Sequence, residues 1–272
     1  MKAPARVSRP ALPGWAVRWA VLVAGVAAWE ALARWKQSTF FPPPSQIVAR
    51  MHQLWFSGPA AHLFLTSDAT ANILPSLGRI FAGMAIAAAL GVAAGLAIGR
   101  SAAAAGYVEP LFHFARAIPP VALAPVFIVL FNLGTQMELA TIVFGTVWPI
   151  LLNTADGARS IDPLQAETAR AFQLSAAARL IWLIVPGAAP KIFSGLRLGL
   201  SLSLILMVFS ELVGSGNGIG YELTNASSSF DLPAMWSGIV LLGILGYILN
   251  LLLLAVELRV LAWHRGARQA GT

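Results

Sequence analysis

Residues 167–190 read ETARAFQLSAAARLIWLIVPGAAP, a polar-bearing interval with long apolar runs on both sides. Arg159, Arg170, Arg179 and Lys191 bring it positive charge, and Asp156, Asp162 and Glu167 precede the Ala-rich run. Ala171 to Leu183 contains neither Gly nor Pro and is rich in Ala and Leu, so its intrinsic preference is helical. Pro186 and Pro190 stand where an apolar run restarts; proline is tolerated near a helix start and punctuates a helix interior. The pattern predicts a short helix held outside the bilayer between two spans. On its residues alone that helix is either a docking surface or the hydrophilic tip of a hairpin.

Composition sets the surroundings of this helix. Hydrophobic residues make up 58% of the 272-residue chain and charged residues 11%, with a mean hydropathy of +0.75. That balance predicts an integral membrane protein, all-α and polytopic, because the apolar runs are too long and continuous for alternating barrel strands. The formal charge of +7 would suggest nucleic acid in a soluble chain. Here the basic residues lie beside or between apolar runs, so orientation in a membrane explains them and no nucleic acid is expected. Cys is absent, which excludes thiol and disulfide chemistry. His52, His62, His113 and His264 are scattered, so neither a metal site nor a cofactor is expected.

The hydropathy pattern predicts six transmembrane helices: Trp15–Leu32, Leu74–Gly99, Tyr107–Leu133, Glu138–Leu152, Ile192–Val213 and Ala234–Val256. Gly83, Gly91, Gly95 and Gly99 recur at spacings that let helices approach closely. Pro110, Pro119, Pro120 and Pro125 predict a third span that is not one straight helix. FFPPP at 40–44 cannot be helix interior, and residues 45–56 read as an amphipathic helix opened by Ser45. Residues 58–71 read as a mixed loop, the GSGNGIG glycines as a flexible re-entry or outer loop, and residues 221–233 are polar. Six crossings put both termini and the 156–190 interval on one side, together with Lys2, Arg6, Arg9, Arg100, Arg159, Arg170, Arg179, Lys191, Arg265 and Arg268. The positive-inside bias makes that side cytoplasmic. The expected organisation is a cytoplasmic tail at 1–14, a transmembrane domain at 15–262 containing the cytoplasmic segment 156–190, and a cytoplasmic tail at 263–272.

Four polar residues in or beside spans are candidates to line a path. Arg116 precedes Pro119 and Pro120 and either snorkels to the interface or faces a polar cavity. Ser201 and Ser203 are free to bond backbone carbonyls of their own helix. Glu211 precedes GSGNGIG closely and reads as interfacial; buried, it would need a partner. The glycines of that loop do not make a nucleotide site, since no soluble strand precedes them and no Walker lysine follows.

Residues 167–186 resemble the cytoplasmic EAA motif of bacterial binding-protein-dependent ABC importer permeases. Glu167, Thr168 and Ala169 open it; Leu183, Val185 and Pro186 close it. The motif's glycine is Gln173 here, whose Cβ resists the dihedrals glycine accepts, so the chain either still bends there or runs on as one straighter helix. FPPPSQIV, RAIPPVALAPVFIVLFNLG, WPILLNTADGARSIDP, PGAAPKIFSGLRLGL, GSGNGIGY and ELRVLAW extend the resemblance to the nitrate, sulfonate and taurine branch.

The resemblance implies a homodimer of permeases in the bacterial cytoplasmic membrane. Each copy would meet one subunit of a cytoplasmic ABC ATPase dimer, and an external solute-binding protein would deliver the solute. Residues of about 163–180 would form a coupling helix, with Glu167, Arg170 and Arg179 as polar contacts. Ala169, Ala171, Phe172 and Leu174 would pack against the ATPase, and Gln173 and Pro186 belong to the same segment. No residue of this chain would hydrolyse ATP. The solute would be a sulfonate, taurine or nitrate-like anion, with a pyrimidine or riboflavin-type compound as the alternative. A membrane scaffold or sensor is a further alternative; an intramembrane enzyme is disfavoured by the scattered acids and histidines.

Overall fold

The computed structural model describes residues 14–263, and every regular element in that range is helical. The basic residues expected to orient the tails, Lys2, Arg6, Arg9, Arg265 and Arg268, lie outside the described residues. In chain order the helices are α1 (Gly14–Lys36), α2 (Pro44–Trp55), α3 (Ser67–Gly99), α4 (Ala102–Ala117), α5 (Ala124–Phe131), α6 (Thr135–Arg159), α7 (Pro163–Ala171), α8 (Ala176–Arg179), α9 (Val185–Gly214), α10 (Ile219–Ser228) and α11 (Leu232–Val260).

Helices α3, α6 and α9 form the core. Along α3, the positions of Gly83, Gly91, Gly95 and Gly99 meet Ile142, Ile150, Thr154 and Ala158 of α6 in turn. Both numberings rise together, so α3 and α6 run parallel. A Cβ at Gly95 would lie 2.6 Å from the Leu151 carbonyl oxygen, a separation side chains do not adopt, so only glycine permits this approach. Gly195 and Gly199 of α9 meet Asn153 and Thr146 of α6 in descending order, so α9 is antiparallel to it. Ile80, Ile142, Leu200, Leu206, Met207 and Leu249 fill the space between these helices and α11. Dispersion and close approach must hold them, since lipid is as apolar as a leucine side chain.

Four stretches among the described residues are long and apolar enough to cross a membrane: Ala60–Gly99, Thr135–Arg159, Ala176–Gly214 and Leu232–Val260. A fifth crossing results if Ala105–Ala117 and Pro120–Phe131, which meet at 80°, are taken together. The chain is therefore an all-α, multi-pass membrane protein, and its length and composition supply four or five crossings rather than a clear six. The shortfall lies at α1, a helix of 23 residues into which Arg18, Glu30, Arg34 and Lys36 bring charge. Glu30 accepts a bond from the Ser45 amide at 3.0 Å and pairs with Arg34 at 2.5 Å, which ties α1 to the start of α2.

Four local expectations are corrected. The second span starts at Ser67 rather than near Leu74, because the Thr66 hydroxyl caps it by accepting from Ala69 N at 3.1 Å and Asp68 favours its first turn. Pro43 rather than Ser45 stands at the N-cap of α2, with Pro44 in its first turn. Residues 219–228, which take in the end of the expected glycine loop and part of the polar interval after it, form α10, which folds back against the end of α9. At the opposite end, α8 leads through a π-wound turn, Leu180–Ile184, into α9, so the fifth span is longer than Ile192–Val213. Pro186 sits in the first turn of α9, directly after that π-wound turn.

Candidate coupling segment and buried polar cluster

The stretch from Asp162 to Ile184 begins with a side-chain cap. The Asp162 carboxylate accepts from Leu164 N at 2.9 Å, and Pro163 pre-sets the first turn of α7. The helix ends with Gln173 N donating to the Arg170 carbonyl at 2.9 Å and Leu174 N to the Ala169 carbonyl at 3.0 Å. This is a Schellman closure, which requires a left-handed residue at the turn. Gln173 supplies it with φ of 55°. The backbone therefore bends where the glycine of the motif is missing. Ser175 then caps α8 by accepting from Ala178 N at 3.2 Å.

On this bent segment Glu167, Arg170, Ala171, Gln173 and Leu174 are exposed, and Phe172 is 78% exposed. Leu164, which the sequence reading passed over, is 68% exposed beside them. Arg179 and Pro186 are half-buried. Ala169, expected to pack on a partner, is only 6% exposed: it turns inward at the Schellman closure, and its packing is within the chain. Exposed Leu and Phe on a short helix bearing Glu and Arg form an apolar surface rimmed by charge, the pattern of a protein contact.

The other end of the core holds a buried polar cluster. Arg79 of α3 donates from Nη1 to Glu211 Oε1 at 2.7 Å and to the Asn217 carbonyl at 3.0 Å, and from Nη2 to Asn217 Oδ1 at 2.6 Å. Its Nε forms an ion pair with Glu138 of α6. The Ser76 hydroxyl donates to Glu211 Oε1 at 2.7 Å, and Gly220 N donates to Glu211 Oε2 at 2.8 Å. Asn72 accepts from Gly218 N at 2.9 Å and donates to Glu222 at 3.1 Å. Gly218 has φ of +121°, and a Cβ there would fall 2.4 Å from the Glu211 carboxyl carbon. This glycine loop is thus wrapped on a carboxylate.

Glu211 is consequently 1% exposed, which corrects its interfacial placement: α10 and the glycine loop cover it. The cluster joins α3, α6 and α9 through one guanidinium that serves two carboxylates. Its geometry is that of a clasp. Arg79 and Glu138 escaped the sequence reading, although a charge inside an apolar run is a signal in itself.

Of the remaining path candidates, Ser203 is buried and donates to the Leu200 carbonyl at 2.8 Å, while Ser201 is exposed. Arg116 lines a cleft of about 360 Å³ with Pro120, Gly145, Trp148, Pro149 and Leu202. The structure brings neither serine into that cleft.

The described residues thus form a multi-pass membrane subunit with a capped and bent segment at one end of a glycine-packed helical core. Residues 87–262 match the family described as binding-protein-dependent transport system inner membrane component, and the chain belongs to it, in the ABC-importer permeases of the nitrate, sulfonate and taurine type. It is 28% identical over 225 residues to the taurine transport system permease protein TauC of Escherichia coli, covering 83% of this chain and 80% of that one. It is 28% identical over 235 residues to the nitrate import permease protein NrtB of Synechocystis, covering 86% and 85%. With the bicarbonate transport system permease protein CmpB of Synechococcus elongatus it shares 33% identity over 178 residues, covering 65% and 64%.

Proposed function

We propose that this chain is the membrane-spanning subunit of an importer that moves a small anion, of the sulfonate, taurine or nitrate class, at the expense of ATP hydrolysed by a separate subunit. The observation that carries the coupling half of this reading is the bend at Gln173, on a segment that leaves Leu164, Phe172 and Leu174 exposed together with Glu167 and Arg170. Such a surface suits insertion into a groove on an ATPase, with charge setting registration more than affinity. Residues 156–190 are then the cytoplasmic coupling segment. Both termini are cytoplasmic, the tails are 1–14 and 263–272, and α1 supplies the sixth crossing of the 15–262 permease domain.

The solute class rests on two supports. The relatives named above are described as permeases for taurine, nitrate and bicarbonate, all carrying an anionic oxygen group. Within this chain, the cleft between α6 and α9 offers Arg116 as its cation, and Trp148 Nε1 beside it is buried without a hydrogen-bond partner among the described residues. On Coulomb grounds a guanidinium favours an anion. Two copies of the chain face each other across the path, and an external binding protein loads it. Binding of ATP then biases inward-facing and outward-facing arrangements through contacts at the coupling segment.

The test is reconstitution of the chain into vesicles with its cognate ATPase and binding protein, followed by uptake of labelled taurine, an aliphatic sulfonate, nitrate and bicarbonate. Uptake of one of them that requires both partners and ATP is expected. ATP-independent uptake by this chain alone would overturn the reading.

A further inference from the structure

At the end of the core that carries α7 and α8, a pocket of about 530 Å³ is walled by Arg100, Arg159, Arg170 and Arg179, with Ile161 and Leu183 on its apolar side. Arg159 is paired with Glu109 of α4. Among the described residues no carboxylate pairs with Arg100, Arg170 or Arg179. Arg179 is half-buried, and its Nε is sealed from solvent with no hydrogen-bond partner among them. Guanidiniums gathered round one pocket repel each other, and a buried donor left unmade costs its full desolvation. An anion in the pocket removes both penalties. A planar guanidinium fork matches the oxygens of a phosphate group. The surroundings indicate depth in the bilayer: Trp182, just beyond Arg179, is 79% exposed, and Tyr107, near the start of α4, is 83% exposed. Amphipathic rings of this kind sit at the level of lipid headgroups.

We propose that this pocket binds a phosphate-type oxyanion, supplied by the headgroup of an anionic phospholipid, and that it thereby seats the segment from Arg170 to Ile184 against the membrane surface. Free phosphate shares the chemistry and is distinguished by experiment.

The full-length chain is placed in nanodiscs of phosphatidylcholine, of phosphatidylcholine with phosphatidylglycerol, and of phosphatidylcholine with inorganic phosphate in the buffer. Thermal unfolding and native mass spectrometry of retained lipid are read for the wild type, Arg100→Gln, Arg100→Gln/Arg179→Gln and, as a control, the exposed Arg259→Gln. Retained phosphatidylglycerol and a raised midpoint are expected. Affinity should weaken about tenfold for each pocket arginine removed, with the control unchanged. If the double variant does not fold, Arg100→Gln alone decides, since it lies outside the coupling segment. An equal gain from inorganic phosphate in phosphatidylcholine alone supports an oxyanion site and assigns its source to the soluble anion. No response to either anion, or a response that the pocket variants retain, would overturn the proposal. A gain seen only on adding the ATPase would do the same.

Discussion

Gln173 adopts a backbone conformation that costs a residue with a Cβ about 1 kcal/mol, and the Schellman bonds to Ala169 and Arg170 hold it there. Gln173→Gly should therefore raise the unfolding midpoint in detergent, the gain reduced to about 0.5 kcal/mol by glycine's freedom in the unfolded chain. Gln173→Val should lower it. The ion pairs of Arg79 call for a larger effect. Arg79→Met leaves Glu138 and Glu211 buried without their cation and should cost about 3–5 kcal/mol, while Arg79→Met combined with Glu138→Gln should cost less than the sum. At Glu222, outside the spans, burial raises the carboxyl above its ordinary value and Asp68 adds to the rise, against a bond from Asn72. The folded form then holds that proton more tightly than the unfolded form. The contribution to stability is full below the ordinary carboxylate value and is lost as pH rises through the raised one. Glu222→Gln should flatten that part of a stability-against-pH curve.

At the scale of the elements, the glycine stripe on α3 predicts its own asymmetry. Gly95→Ala forces a Cβ against the Leu151 carbonyl and Thr154 and should cost about 1–3 kcal/mol. Gly78→Ala on the same helix meets nothing within 4 Å and should be neutral, or stabilising by up to about 1 kcal/mol from helix propensity; thermal unfolding of the pair separates the two effects. That contact face was legible in the sequence because its spacing alone carries it. The broken third span was legible too, since its prolines cannot sit in one straight helix. α10 was not: it is short and polar, and only the glycine loop folding onto Glu211 places it against α9. The clasp was hidden because its members come from separate helices, Arg79 and Glu211 being 132 positions apart. A single sequence gives no signal that two such charges meet.

Across the whole molecule, α3, α6 and α9 run from the Arg79 clasp at one end to the coupling segment at the other. α6 spans roughly 37 Å at 1.5 Å per residue. The number of crossings was less legible than this arrangement, because the charges of α1 and the 80° break between α4 and α5 blur the two weakest apolar runs. In the proposed importer the bent segment around Glu167 and Phe172 joins this core to the ATPase. Its most direct test is co-purification of the cognate ATPase with wild type and with Glu167→Lys, membrane insertion being checked in parallel. The variant is expected to insert normally and to retain much less ATPase. Unchanged co-purification would contradict it.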